Sequence, residues 1–530
     1  MMTGKRIMAV YLLLILVWSS YALVLDAVEY FEIKQTQTPN ATTYNITVLT
    51  NASLTACDKE FLSVTIDVDA VRRKWVGFDF SSPKLQRLAE ALAPIDLRFG
   101  GTMADFLIFS PNSPAKTVKL SPQTDSEKTS RNTNLLQETP KNFTMTGAQW
   151  DKLTAFVKTV GWNLIFDFNV FLRRNGVWDP ANADKLLNYS VSRGVQFIAF
   201  QLGNEPDLYG RYFNVSISPS DLVADFTILR TLISSYSQYK DLSLFGPGVT
   251  NVGVRSRSMT YLRKFIEAGG PDVVNEIGIH HYYTNGASAT VQDFLNVTKL
   301  ESLKTVLNVA FNLTRVIPHP VHIRLSETSS CYGGGAVNKS NAYVAGFMWL
   351  DKLGVAGLYG LPRVFRQTFI GGSYELVSSR TFNPNPDFYL SLLFKRLVEG
   401  PVFPVTSVPE AEQLRVYANC ARRDYFRYPV GALVLYYLNL ADEKTVLSLT
   451  QFSSEDREVF SLTPGDNNGL LSRLVKLNGD ILLMPGNDIP LMLPSYQRGD
   501  ITIEAQSFGF IVIPQASVPA CNSFHESATQ

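Results

Sequence analysis

Charge imbalance is what this sequence most lacks: 48 Lys and Arg stand against 47 Asp and Glu, a formal net charge of +1 over 530 residues. A chain so neutral has no dominating basic field, so no nucleic-acid partner is expected. Cysteine is equally scarce. Cys57, Cys331, Cys420 and Cys521 include no CxxC spacing, which disfavours a zinc ribbon or a thioredoxin-type redox pair. The histidines are His280, His281, His319, His322 and His525, without HExxH or a comparable ligand spacing. No metal and no cofactor is expected. A GxSxG elbow is missing, which disfavours a serine hydrolase. The "YGGG" at 332–335 lacks the lysine and spacing of a phosphate loop. Its glycines suit a close approach of backbone to ligand instead.

Long apolar runs are also missing, except at the N-terminus. There Lys5 and Arg6 precede "IMAVYLLLILVW" and "SSYAL", the charged region, apolar core and small-residue cleavage site of a secretory signal. The run falls short of the ~20 residues of a membrane span, so residues 1–22 read as a signal peptide. Sequons at Asn40, Asn45, Asn51, Asn142, Asn188, Asn214, Asn296, Asn312 and Asn338 fit a secreted glycoprotein. In an oxidising compartment Cys420 and Cys521 could join the two ends of a C-terminal domain.

Core-forming sequence, by contrast, is plentiful: 45% of residues are apolar and 18% charged, a globular balance. From residue 61 strand-like runs alternate with amphipathic stretches. The runs are "FLSVTID", "PIDLRFGGT", "WNLIFDFNV", "VQFIAFQLGNE", "LSLFGPGV", "IGIHHYY" and "VHIRLSE", with a weaker eighth within "VAGLYGLPRVFRQTF". Runs apolar on both faces and separated by helical patterns indicate a parallel sheet, and eight in succession a barrel. Beyond 392, short β-rich runs such as "LRVYANC", "ALVLYYLNL" and "SFGFIVIP" read as a sandwich. The expected fold is therefore α/β, a (β/α)8 TIM barrel with a C-terminal β-sandwich. Residues 23–60 form an N-terminal strand region packing on the sandwich, 61–391 the catalytic barrel, and 392–530 the sandwich. Residues 111–141, rich in Pro, Ser, Thr, Asn and Lys, interrupt the barrel as an exposed linker.

Several runs end in polar residues: Asp67, Thr102, Glu205, His280 and Glu327. In a barrel these ends share one mouth, where active sites lie. Glu205 follows an apolar strand in "FQLGNEPDLYG", and burying a carboxylate there is costly unless something is gained. Paired with Glu327, it supplies the two carboxylates that glycoside hydrolysis requires, one to protonate the leaving oxygen and one to attack or to activate water. Asn204 can bond a sugar hydroxyl beside the reacting carbon. The "HHYY" of His280 to Tyr283 could orient a nucleophile or stack on sugar rings. A basic group follows the fifth run, at Arg255, Arg257, Arg263 and Lys264. It reads either as a sulfate or carboxylate contact at the cleft or as a solvated helix face.

The stretches "QLGNEPD", "HHYYTNG", "SETSSCYGGGA", "AGFMWLDKLG" and "PDFYLSLLFKRLVEG" resemble, in order, the heparanases, endo-β-glucuronidases of glycoside hydrolase family 79. The likeness runs from about residue 61 to Cys521. It implies a retaining mechanism with Glu205 as acid/base and Glu327 as nucleophile. It also implies a glycan cleft lined by Asp67, Thr102, Asn204, Tyr282, Gly333, Gly334, Gln367 and Tyr374, with Asn251 at the place of a cleft glutamine; Arg255 of the basic group and His280 of the strand ends are expected as further substrate contacts. A Cys420–Cys521 disulfide follows from it too, as does a linker near 111–137 whose excision leaves light and heavy chains held without a covalent bond. This chain departs from the family where Asp69 replaces an Asn, Ala287 an Arg and Asn251 a Gln, and where a basic cluster is reduced to Lys141. Fewer cations mean fewer charge-assisted bonds to sulfate. The expectation is a secreted or lysosomal enzyme that cleaves heparan sulfate on proteoglycans of the extracellular matrix, is activated by a processing protease and meets membranes only through proteoglycans. The alternatives are a β-glucuronidase for less sulfated glycans or small glucuronides, and a heparan-sulfate-binding protein without turnover.

Overall fold

The computed structural model describes residues 41–113 and 140–527. The expected signal peptide and nearly all of segment 111–141 lie outside the described residues.

Eight parallel strands close a barrel in chain order. They are β1 (Leu62–Asp67), β2 (Asp96–Gly100), β3 (Asn163–Phe168), β4 (Ala199–Leu202), β5 (Ser243–Val249), β6 (Glu276–His281), β7 (His322–Thr328) and β8 (Val364–Arg366). Closure is made where Val364 of β8 pairs with Leu62 of β1. These strands are buried on both faces, inward against one another and outward against helices, which is why their sequences do not alternate. The helices begin at local signals. Thr146 and Gln149 form a reciprocal capping box at the start of helix Gly147–Thr159, and Ser218 caps Pro219–Ser234 with proline at its first turn.

The eighth run resolves differently from its apolar character. "VAGL" ends helix α1 (Ala345–Leu358), and β8 holds only three residues. The helix is buried on every side because it lies between barrel and sandwich, and apart from Asp351 and Lys352 it is apolar all round, so strand-like hydrophobicity there reflects burial. Gly354 lets α1 approach the sandwich, since a Cβ there would come within 2.4 Å of the Tyr417 ring.

The remainder is a sandwich of a nine-stranded and a four-stranded sheet. Ile46, Val48, Phe403, Leu435, Leu447, Ile501 and Ile511 fill the space between them. Strand Thr42–Val48 lies in the smaller sheet and Thr55–Cys57 in the larger. Helix α2 (Pro386–Leu397) runs directly into strand Val398–Phe403, so the two layers meet without a linker. Cys420 and Cys521 form a disulfide with Cα atoms 5.4 Å apart, while Cys57 and Cys331 are free and buried.

The flanks of segment 111–141 are tied side by side. Leu107–Phe109 pairs in parallel with Phe143–Met145, and Gly147 N donates to Pro111 O at 3.2 Å. Barrel closure therefore does not depend on the residues between them.

Candidate active site

After β4 the chain turns sharply. Gly203 has φ +77°, and a Cβ there would lie 2.7 Å from the Tyr209 hydroxyl and 2.9 Å from Val170. Glu205 itself sits at φ +54°, a left-handed conformation costly for a residue with a side chain. Four bonds hold the turn. Glu205 N donates to Gly248 O at 3.1 Å and Leu208 N to Glu205 O at 2.8 Å. Asn204 N donates to the Tyr209 hydroxyl at 2.9 Å and to Asp105 Oδ2 at 3.2 Å. The strain is spent in aiming the Glu205 side chain across the mouth.

Glu327 lies in β7, in register with His280 of β6. Both its oxygens are occupied: Tyr282 Oη donates to Oε1 at 2.7 Å and Arg98 Nη1 to Oε2 at 2.8 Å. Burial alone would raise its pKa, but His280, Arg98 and the Tyr282 hydroxyl together hold it below the usual value. Glu205 is tuned oppositely. Burial raises it, the hydrogen bond with His280 Nδ1 at 2.9 Å offsets that only in part, and the nearby Glu327 charge adds to the rise. One oxygen of each glutamate and one ring nitrogen of His280 lie within 4.8 Å of one another. Those three groups are also close enough to share a metal ion, but the Arg98 guanidinium bonded to Glu327 would repel one.

Arg98, fully buried in β2, organises the floor. Besides Glu327 it donates to Gln201 Oε1 and Asn204 Oδ1, both at 2.8 Å, and to Asp167 Oδ2 at 3.2 Å. Burial pushes Asp167 up to about 7 despite that guanidinium. Arg98, Asp167 and Gln201 escaped the sequence reading. Their signal was a charged or amide group inside an otherwise apolar strand.

The expected cleft residues gather around this floor. Gln367 Nε2 donates to Asp67 Oδ2 at 3.3 Å, and burial with the neighbouring Asp69 pushes Asp67 up to about 7. Asn204 Nδ2 reaches Thr102 Oγ1 at 3.5 Å. Tyr374 stacks against Tyr282, with ring centroids 6.5 Å apart. Gly333 and Gly334, at φ +80° and +87°, carry the loop beside Tyr374, where Ser373 N donates to Gly334 O at 2.7 Å. Asn251 is placed differently, with both ends of its amide bonded to the backbone of Tyr282 at 2.8 and 3.0 Å. Arg255 lies over the Tyr332 ring at 5.4 Å, next to Gly333. The rest of the basic group is dispersed: Arg257 faces Asp207 at 3.9 Å and Arg263 faces Glu267 along the helix. His281 turns away into the core, its pKa lowered by burial and by Lys352.

A closed (β/α)8 barrel presenting two oppositely tuned glutamates at the ends of β4 and β7 defines a glycoside hydrolase. The chain belongs to glycosyl hydrolase family 79, whose N-terminal domain matches residues 45–354. It is 36% identical to a heparanase of Mus musculus over 506 residues, covering 89% of this chain and 93% of that protein. It is also 30% identical to a hyaluronoglucuronidase of Hirudo nipponia, covering 88% and 97%. Among solved structures it is similar to a 4-O-α-L-rhamnosyl-β-D-glucuronidase of Fusarium oxysporum, with TM-score 0.60 and 16% identity over 89% of this chain and 100% of that one. That last likeness speaks to the fold alone.

Proposed function

We propose that this hydrolase is a retaining endo-β-glucuronidase that cleaves heparan sulfate chains of proteoglycans. The observation that carries the mechanism is the close glutamate pair with opposed tuning. Retaining enzymes hold their carboxyls about 5–5.5 Å apart and inverting ones about 6.5–9.5 Å; an oxygen of Glu205 within 4.8 Å of one of Glu327 supports the former. Glu327, kept ionised, attacks the anomeric carbon while Glu205 gives its proton to the departing glycosidic oxygen. The carbon–oxygen bond breaks and a glycosyl ester forms on Glu327. Glu205, now ionised, takes a proton from water, whose oxygen displaces Glu327 and regenerates both groups. Asn204, anchored by Arg98, is placed to bond a sugar hydroxyl as charge develops at the ring.

Relatives named heparanase support the polymer substrate. The same reading includes secretion, a matrix or lysosomal location, glycosylation and activation by a protease that removes the linker to leave associated light and heavy chains. A second reading, action on less sulfated glycans or small glucuronides, is favoured by the pairing of cations near the mouth. Arg72 and Arg73 are both ion-paired with Asp69, at 2.5 and 2.9 Å, and Arg257 faces Asp207.

Incubating the processed protein with heparan sulfate and with an aryl β-glucuronide separates these readings. Shortening of the polymer supports endo cleavage; aryl release alone supports the second reading. Binding without turnover of either would refute both. Glu327→Ala should abolish every activity, whereas Glu205→Ala should spare substrates with good leaving groups. Ordinary turnover by Glu327→Ala would overturn the mechanism.

A further inference from the structure

The motif "FMWLDKLG" in α1 carries two buried charges, and neither touches the cleft. Asp351 accepts from Tyr417 Oη of the sandwich at 2.5 Å and from Arg415. Lys352, one residue on and 1% exposed, faces the barrel instead. Its Nζ donates to His281 O at 3.2 Å, to Ser329 O at 2.7 Å and to Thr328 Oγ1 at 2.5 Å, and it lies 4.4 Å from the centre of the Tyr283 ring. Burial and the nearby Arg366 pull its pKa well below the usual lysine value, while the three oxygens around Nζ match the three donors of the protonated form.

The location of those acceptors gives Lys352 its meaning. His281 and Thr328 are the register pair immediately after His280 and Glu327 on β6 and β7. The ladder is irregular at this point. The β6–β7 register shifts between Ile279 and His280, and the β7–β8 register shifts between Leu325 and Thr328. Pairing resumes beyond each shift, with His280 opposite Glu327, His281 opposite Thr328 and Thr328 opposite Arg366, so the strand ends that carry Glu327 are paired across an irregular ladder. Thr328 Oγ1 also bonds to His281 O, and Arg366 bonds to the Ser329 hydroxyl from the β8 side. Burying an amine this deeply is expensive, and packing would have been served as well by methionine.

We infer that Lys352 is a positioning residue for the nucleophile, bracing the register-shifted pairing behind Glu327 with one buried three-point clamp across the ends of β6 and β7. The inference rests on the assignment of Glu327 as nucleophile. It also ties the site to the sandwich, because the residue before Lys352 holds α1 to Arg415 and Tyr417.

The test is Lys352→Met, of similar length but unable to bond, assayed on an aryl β-glucuronide with wild type alongside. Misplacing a reacting group by about 1 Å can cost on the order of 100-fold. A fall in kcat of about 10- to 100-fold with KM within about twofold is expected. As the Glu327 bonds to Tyr282 and Arg98 loosen, the acidic limb of the kcat/KM profile should move to higher pH. A residue that merely fills space would lower the melting temperature and leave kcat and the limb in place. Thr328→Val, which removes one point of the clamp, should shift both in the same direction by less, and it decides the matter alone if Lys352→Met does not accumulate folded. Wild-type kcat and pH profile in the folded variants would overturn the inference. Failure of wild type to hydrolyse any glucuronide would instead overturn the function on which it rests.

Discussion

Tyr282→Phe removes a single oxygen and tests how Glu327, the proposed nucleophile, is kept ionised. In the wild type the Tyr282 hydroxyl donates to Glu327 Oε1 at 2.7 Å from a site 7% exposed. Burial and the Glu327 charge push the phenol's own pKa well up, so it remains a donor throughout the working pH range. A hydrogen bond to a charged group contributes about 1.5–3 kcal/mol, and about 1.4 kcal/mol corresponds to one pKa unit. The bond favours the ionised form of Glu327, so losing it makes protonation easier. The acidic limb of kcat/KM should therefore rise by about 1–2 pH units. The effect on kcat is less one-sided, since the same bond stabilises a charge that leaves the carboxylate during attack, and its loss also frees the side chain to wander. The pH profile is thus the cleaner readout. It is measured on an aryl β-glucuronide from about pH 3.5 to 8, with thermal melts to establish folding. A limb that stays in place or moves down would refute the account of Glu327 tuning. The alkaline limb, set by Glu205, should move much less.

Stability should depend on pH in a defined direction. Asp67 and Asp167 are pushed up to about 7, chiefly by burial, and burial also raises Asp105 well above the usual carboxylate value. Between their unfolded value near 3.8 and that folded value, the native state binds more protons than the unfolded one, so stability falls as pH rises. Glu327 acts oppositely but only below the ordinary carboxylate range. His281 and Lys352, both lowered by burial, act in the opposite sense, so the measurement is differential. Relative to wild type, Asp167→Asn should lose Asp167's share of the fall in melting temperature between about pH 5 and 7.5, and an unchanged pH dependence in calorimetry would refute the burial argument. Arg98→Met should cost about 3–5 kcal/mol in denaturant unfolding near neutral pH, because it leaves Glu327 and Asp167 buried without their cation. The loss should shrink at acidic pH as Asp167 takes up a proton.

What could be read from the sequence divides along physical lines. The barrel strands were legible because a strand buried on both faces has to be a continuous apolar run, and Glu205 and Glu327 because each ends such a run with a charge. The disulfide and the cleft residues followed from resemblance to a family, since spacing alone does not fix a pairing. The eighth strand was blurred because α1 and β8 are both buried on every side, which erases the difference between periods of 3.6 and 2. Arg98 was missed for a different reason. Its partners Asp167, Gln201, Asn204 and Glu327 come from β3, β4 and β7 and the turn after β4, and no local window contains more than a few of them. The expected signal peptide and nearly all of the expected linker fall outside the described residues.

Both glutamates lie deep enough for desolvation to be the largest influence on each, and in both it acts upward. Their different chemical roles must therefore arise from what opposes it. Glu327 receives a phenol and a guanidinium, one for each oxygen, with His280 close by. Among the described residues Glu205 has only the His280 ring nitrogen, and the ionised Glu327 stands against it. The proposed division of labour thus follows from a count of donors and not from depth. Adding a donor to Glu205 would be as damaging as removing one from Glu327, because an acid held ionised has no proton to give to the leaving oxygen. This explains why Arg98 is directed to one carboxylate alone: three of its four acceptors, Gln201, Asn204 and Asp167, fix the guanidinium beside Glu327, and the Asn204 bond draws in the neighbour of Glu205 while leaving the Glu205 carboxyl free of the charge.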